Sequence, residues 1–432
     1  MRSPIRVLRA ADRRALTTAG PPIVAAPALV VAPTLVAAAV MTAVLALGGA
    51  VPAGAQAPVE SVTTWLQVDG GPSHTCAVAT THALYCWGSD AFGALGNDGP
   101  VADANTPTPV AGATTDWAAV SAGNSVTCAI KVSGALFCWG SDSFGALGNG
   151  GTDQHVGTPT AVAGAAGPWR SVSAGGDGGE AAGGAVCAVN VAGHLFCWGM
   201  RALVGDGVGT HDRSVPTEVA GGASNWSSVS VGGTVACARK TTGRLFCWGG
   251  DFYGQVGDGP STVDRKRPVP VANGDTGWAS VSAGWAHTCA VRTTGRLFCW
   301  GLDEHGQIGR YPRHYFDFRT VPTEVRGATT DWTAVAAGGS HSCARKTSGR
   351  LYCWGVNWNG QLGHDLPTDE TATPVRVSGG ITDWAAITAG GEHNCAVRAG
   401  AALYCWGWDG YGQVGDGGTD DQVVPAPVPI SG

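Results

Sequence analysis

Charge is scarce in this chain: Asp, Glu, Lys and Arg make up 13% of its 432 residues, and the formal net charge is −6. Nucleic acid is therefore not an expected partner, because its recognition needs a clustered excess of Lys and Arg. A sustained 3.6-residue apolar period is missing throughout residues 56–432. The 68 glycines also weigh against helices, since each costs a helix interior roughly 1 kcal/mol. They follow no collagen period. Catalytic signatures are missing too: there is no Gly-x-Ser-x-Gly elbow, no His-Glu-x-x-His pair and no phosphate-cradling loop before a helix. Hydrophobic residues are plentiful at 44%, with 17 Trp, 7 Tyr and 9 Phe, too many for a disordered chain.

The first 55 residues differ from the rest. Arg2, Arg6, Arg9, Arg13 and Arg14 stand against a single acid, Asp12, and no charge follows until Glu60. Leu35 to Leu47 has the length of a signal h-region, and Ala53-Gly54-Ala55 gives a small-x-small cleavage pattern. Residues 1–55 read as a removed export signal; an uncleaved anchor is the alternative. Without them the chain holds 21 basic and 31 acidic residues, a net charge of −10. The expected location is secreted, periplasmic or cell-surface, with no membrane contact beyond the export signal.

All 14 cysteines fall into pairs separated by nine residues: Cys76–Cys86, Cys128–Cys138, Cys187–Cys197, Cys237–Cys247, Cys289–Cys299, Cys343–Cys353 and Cys395–Cys405. Trp-Gly follows every second cysteine, and another Trp opens each unit, at Trp65, Trp117, Trp169, Trp226, Trp278, Trp332 and Trp384. Repetition at this period means stacked units that cannot bury their apolar faces alone. Each unit reads as four short strands. Strand one is Trp-x-x-Val-Ser-Ala-Gly, whose small end suits a crowded hub. Strand two ends His-x-Cys-Ala-Val, and strand three is Leu-Phe/Tyr-Cys-Trp-Gly. A loop containing Gly-Gln-x-Gly leads to strand four, Pro-x-x-Val (Pro216 to Val219, Pro322 to Val325). Seven such units predict an all-β fold, a seven-bladed propeller of four-stranded antiparallel blades over residues 56–432. Pro58-Val59 and Pro427 to Ile430 both resemble strand four, so either end of the chain is a candidate to close the ring.

The unit His-x-Cys-Ala-Val … Leu-Tyr/Phe-Cys-Trp-Gly-x-Asp-x-x-Gly-Gln-x-Gly resembles the regulator-of-chromosome-condensation repeat, in all seven copies. The resemblance implies a seven-bladed propeller and a protein partner, since members include exchange factors for a small GTPase and secreted bacterial enzyme inhibitors. The third unit departs from the pattern, reading Ala202-Leu203-Val204-Gly205 and carrying seven extra residues within Gly176 to Gly184.

Nine intervening residues centred on a turn set the paired cysteines opposite each other across a hairpin, close enough for a disulfide. Metal ligands usually come at tighter Cys-x2–4-Cys spacing with further ligands nearby, so one disulfide per blade is expected and no metal or cofactor. His74, His287, His341 and His393, each two before a cysteine, are expected to bond backbone groups. Asp90, Asp142, Asp251, Asp303, Asp409 and Asn357, three after a strand-three Trp, are expected to fix the following loop. Trp285, Trp358 and Trp408 lie outside the template, as loop packing or surface anchors.

Where the repeat is broken, a binding surface is expected. In an up-and-down blade the loops after strands one and three share a face. The unit-three insertion, the segment with Arg265, Lys266 and Arg267, and the segment with Tyr311, Arg313, His314, Tyr315, Phe316 and Phe318 all fall in such loops of units three to five. Exposed Tyr, Phe and Arg are typical interface anchors. The expected function is therefore a monomeric, non-enzymatic scaffold presenting one face to an unidentified protein. The alternatives are a guanine-nucleotide exchange factor, or a secreted enzyme or lectin using the central channel.

Overall fold

The computed structural model describes residues 64–151, 155–164, 166–176, 184–311, 317–365 and 368–429. The expected export segment lies outside them. The propeller occupies the compact unit Glu60–Gly432. Seven four-stranded antiparallel sheets follow one another, each ordered one-two-three-four along the chain. In the first blade these strands are Trp65–Gly70, His74–Ala79, Leu84–Gly88 and Ala104–Pro109. The last blade takes its fourth strand, Gln422–Pro427, from the C-terminal end of the same unit. That answers which of the two segments supplies a fourth strand there; Pro58-Val59 lies outside the described residues.

Strand four begins earlier than Pro-x-x-Val suggests. It spans Arg213–Glu218 in blade three and Phe318–Glu324 in blade five, with Val219 and Val325 just beyond. Proline lacks an N–H, so it is tolerated within an outer strand and does not mark its start. Every blade places at least one proline in this strand, which blunts the free edge against pairing with another chain.

Disulfides join all seven cysteine pairs, each at a Cα–Cα distance of 4.1 Å. The partners stand directly opposite each other between strands two and three, as in Cys76↔Cys86, and every sulfur is fully buried. Each bridge packs into the seam with the next blade: Cys76 and Cys86 lie in one cluster with Trp117 and Trp139. Disulfides persist in oxidising compartments and are rare in the cytosol. Among the described residues no helix is long and apolar enough to cross a membrane.

The two repeat tryptophans of a blade meet at 6.0 Å in Trp65–Trp87, and the strand-one ring meets the residue before the second cysteine edge to face, 5.7 Å for Trp65–Tyr85. The indole of strand three also ties blades together. Trp139 Nε1–H donates to the Ala94 carbonyl of the preceding blade at 2.9 Å, and Trp87 does the same across the ring closure, to Gln413 at 3.0 Å. That carbonyl belongs to the loop after strand three, Gly-Ala-Leu-Gly in blade one and Gly-Gln-x-Gly in blades four to seven, which runs down the seam. At Gly96, which closes this loop in blade one, φ is +67° and a Cβ would sit 2.4 Å from Trp139 Nε1. The glycine is required by close approach as well as by conformation.

The Asx residues hold this loop as expected. Asp90 Oδ1 accepts from the Leu95 N–H at 2.9 Å, and Asn357 Oδ1 from Leu362 at 2.9 Å. Burial raises the carboxyls of Asp251 to about 6 and of Asp303 and Asp409 to about 7.

Candidate functional site

The fifth residue of strand one faces the central channel: Asp69, Ser121, Ser173, Ser230, Ser282, Ala336 and Thr388. The small Ser-Ala-Gly ends do line the hub. The hydroxyls form a belt. Ser121 Oγ accepts from the Ala174 N–H at 3.0 Å, Ser173 from Val231 at 2.9 Å, Ser230 from Ala283 and Ser282 from Ala337, both at 3.0 Å. Asp69 gathers three such bonds. Its Oδ2 accepts from the Ser121 hydroxyl and the Ala122 N–H, each at 3.0 Å, and its Oδ1 from the Thr388 hydroxyl at 2.9 Å. Ala336 has no hydroxyl, so the belt lacks this link between blades six and seven. Desolvation raises the Asp69 carboxyl above its ordinary range, against the lowering effect of those bonds.

The belt positions and the loops after strand one line a cavity of about 490 Å³. Trp285 and Trp408 line it too, with Glu392. Trp285 is 53% exposed; Trp408 is half-buried and packs edge to face on Tyr411 at 5.2 Å. Trp358 is 60% exposed and meets His305 of the neighbouring blade at 5.2 Å. Phe252, on the same kind of loop in blade four, is 72% exposed. Among the described residues no cluster of His, Cys, Asp and Glu could hold a metal ion.

The histidines act differently from expectation. His74 Nε2–H donates to Thr127 Oγ1 of the next blade at 2.8 Å, and the Thr127 hydroxyl donates onward to the Ala94 carbonyl at 2.8 Å. His287 pairs with Ser342 at 2.9 Å and His341 with Asn394 Oδ1 at 3.1 Å. The partner is thus a side chain across a seam and not backbone: the first residue of strand two in one blade meets the second residue of strand two in the next. Burial lowers His74 and His341 to about 4 and His287 and His393 to about 3, so the rings are neutral. Blades two, three and four lack this His, at Val126, Ala185 and Val235; the facing residues are the apolar Val186 and Ala236 in the first two seams, and Thr288 in the third, whose hydroxyl donates to the Gln255 carbonyl.

The residues expected on one set of loops are dispersed. Arg265, Lys266 and Arg267 are not in the loop after strand three but begin the outer strand Arg265–Pro270. The Lys266 carbonyl accepts from the Gly207 N–H of blade three at 2.8 Å, and Arg265 is paired with Asp258. Phe318 likewise opens an outer strand. Tyr311 lies at the other end of that strand, where Arg310 Nε–H donates to the Glu324 carbonyl at 2.7 Å. The Arg326 guanidinium sits 4.7 Å above its ring. Arg313, His314, Tyr315 and Phe316, and most of the blade-three insertion, lie outside the described residues. Sequence reading overlooked Asp69 and Glu392. The signal for Asp69 was one carboxylate at a position that elsewhere carries Ser, Thr or Ala.

The Regulator of chromosome condensation (RCC1) repeat matches residues 65–94, 117–146, 226–255, 278–307, 332–361 and 384–413, and in a second phase residues 82–130, 133–179, 242–291, 294–345, 348–397 and 401–432. The Arabidopsis thaliana ultraviolet-B receptor UVR8 is 28% identical over 378 residues, covering 83% of this chain and 80% of that protein. The Bos taurus secretion-regulating guanine nucleotide exchange factor is 29% identical over 190 residues, 39% of this chain and 40% of the relative. Among solved structures, Saccharomyces cerevisiae Prp20p superposes with a TM-score of 0.70 at 20% identity, covering 85% of this chain and 88% of Prp20p. Human WBSCR16 gives 0.67 at 19% identity, covering 81% and 94%. These two show the fold. With six repeats matched and seven blades formed, the chain belongs to the Regulator of chromosome condensation (RCC1) repeat family.

Proposed function

We propose that the protein is an exported, monomeric, non-enzymatic propeller that captures a protein partner on the face carrying the loops after strands one and three. The observation that carries this reading is the set of exposed aromatic rings on the loops after strand three: Phe252 in blade four, Trp358 in blade six, Tyr411 in blade seven and Phe92 in blade one. Large aromatics left in water on rigid loops are what interface hot spots are made of. Lys266, Arg267, Phe318 and the segment of Arg313, His314, Tyr315 and Phe316 would form the rim over blades four and five, with Arg265 supporting it; Tyr311, at the far end of the outer strand, takes no part. Solved relatives of this fold engage proteins: Prp20p binds Gsp1p and histones, and is known with Kap60 bound. Seven buried disulfides favour a compartment outside the cytosol, which supports an exported scaffold over an exchange factor for a cytosolic GTPase.

The test is affinity capture from the native secretome with the wild-type propeller and two variants as bait. Phe252→Ala/Trp358→Ala should lose the captured protein while melting within a few degrees of wild type. Arg313→Ala/Tyr315→Ala should weaken it. Equal recovery by all three baits would remove this face from consideration.

A further inference from the structure

The lining of the channel cavity is chemically one-sided. Its only charged side chains among the described residues are the carboxylates of Asp69 and Glu392; no Lys, Arg or His reaches it. Two indoles, Trp285 and Trp408, stand at the same mouth. A narrow cleft lined by one sign of charge focuses its field, and indole faces favour cations.

One corner is richer still in acceptors. At other seams the residue after the strand-one glycine donates its N–H to a glycine carbonyl of the next blade, as Gly233 does to Gly284 at 3.1 Å and Gly391 to Gly71 at 3.3 Å. Between blades one and two that residue is Pro72, which has no N–H to give. The Gly123 carbonyl across this seam lies 2.6 Å from where a Cβ on Gly71 would be. The Asp69 carboxylate reaches the same corner, since its Oδ2 is 3.0 Å from the N of Ala122, the neighbour of Gly123. A carboxylate and a backbone carbonyl thus lie on the same seam, and both residues line a cavity of about 490 Å³, within the size range of small-ligand sites.

We infer that the channel mouth binds an organic cation, an ammonium or guanidinium on a short alkyl stem. The head group takes the Asp69 carboxylate and the Gly123 carbonyl, the stem lies between Trp285 and Trp408, and Glu392 draws the cation in. The cation is either a free small molecule or the side chain of a Lys or Arg on a docked protein. The site does not depend on the partner reading, because Phe252 and Trp358 take no part in it.

The probes are agmatine and N-acetylarginine amide, titrated into the folded wild-type propeller by calorimetry and tryptophan fluorescence. Agmatine should bind at one saturable site, more weakly at physiological than at low salt, and n-pentanol should not bind. Asp69→Asn should weaken agmatine tenfold or more. Glu392→Gln, at an exposed position that leaves the belt intact, should weaken it several-fold. Binding of both probes identifies a side chain as an acceptable cation; binding of agmatine alone identifies a free ligand. The inference is overturned if neither probe saturates into the millimolar range, if pentanol binds equally, or if Glu392→Gln and Asp69→Asn both leave the affinity unchanged.

Discussion

His393 in the last blade donates its Nε2–H to the Thr75 hydroxyl in the first, at 2.8 Å, across 318 residues of sequence. The Thr75 hydroxyl in turn donates to the Gln413 carbonyl at 2.9 Å. The bond that closes the ring is thus the same bond that joins blade one to two, five to six and six to seven.

Thr75→Val should strand the buried His393 N–H while Gln413 keeps its bond from Trp87, a cost of about 1–3 kcal/mol. Adding His393→Val reproduces the apolar pairing of Val126 with Val186 and should recover part of that loss. Denaturant unfolding of the four members of the cycle measures the coupling. Without recovery in the double variant, the two side chains are not a pair. The same double variant should resist acid better. A histidine whose folded pKa is lowered to about 3 lets stability drain away as pH falls below its unfolded value. Removing one such group should flatten the decline between pH 6 and 4 by about 1.4 kcal/mol per unit.

The loop aspartates have the opposite sign. Asp303 and Asp409 are raised to about 7, so their stabilising contribution is present at low pH and is lost as pH climbs through 7. Blade six already carries the neutral counterpart: Asn357 keeps the loop bond and donates Nδ2–H to the Thr368 carbonyl at 3.0 Å. Asp303→Asn and Asp409→Asn should match wild type near pH 4 and exceed it at pH 8, each by on the order of 1–2 kcal/mol after allowance for partial solvation. Thermal melts at the two pH values check this; a gain that is equal at both would show that ionisation is not its source.

Phe92 holds φ at +62° and ψ at 16°, a left-handed conformation unusual for a bulky side chain. In blades four to seven the following Gln steadies this position, as Gln255 Oε1 accepts from the Tyr253 N–H at 2.9 Å. Blade one has Ala94 there, with no such acceptor. Phe92→Gly should therefore raise stability by about 1 kcal/mol, read as a higher denaturation midpoint. A lower midpoint would mean that the ring's contact with His155 outweighs the backbone strain.

Each disulfide closes an 11-residue loop, which the chain-entropy relation values at about 3 kcal/mol. Cys187→Ala/Cys197→Ala should lose about that much while the other six bridges persist. Because every sulfur is fully buried, native protein should take up no thiol label under mild reductant and should label fully once unfolded. Labelling of native protein would contradict the burial.

The sequence alone determined the blade. Period, strand number and cysteine pairing are local properties, repeated seven times within hairpins whose partners lie ten residues apart, so alternation and turn chemistry suffice to read them. Which residues meet across seams was decided by tertiary structure. Asp69 looks like any strand residue until seven inner strands close around it, and only the closure of the ring brings His393 to Thr75. The course of the loop after strand three was not legible either, since it depends on the next blade's indole and outer strand. Contacts within a hairpin are encoded by neighbours in the chain; contacts between blades depend on the closed ring, in which every sheet packs against one that lies a full repeat away.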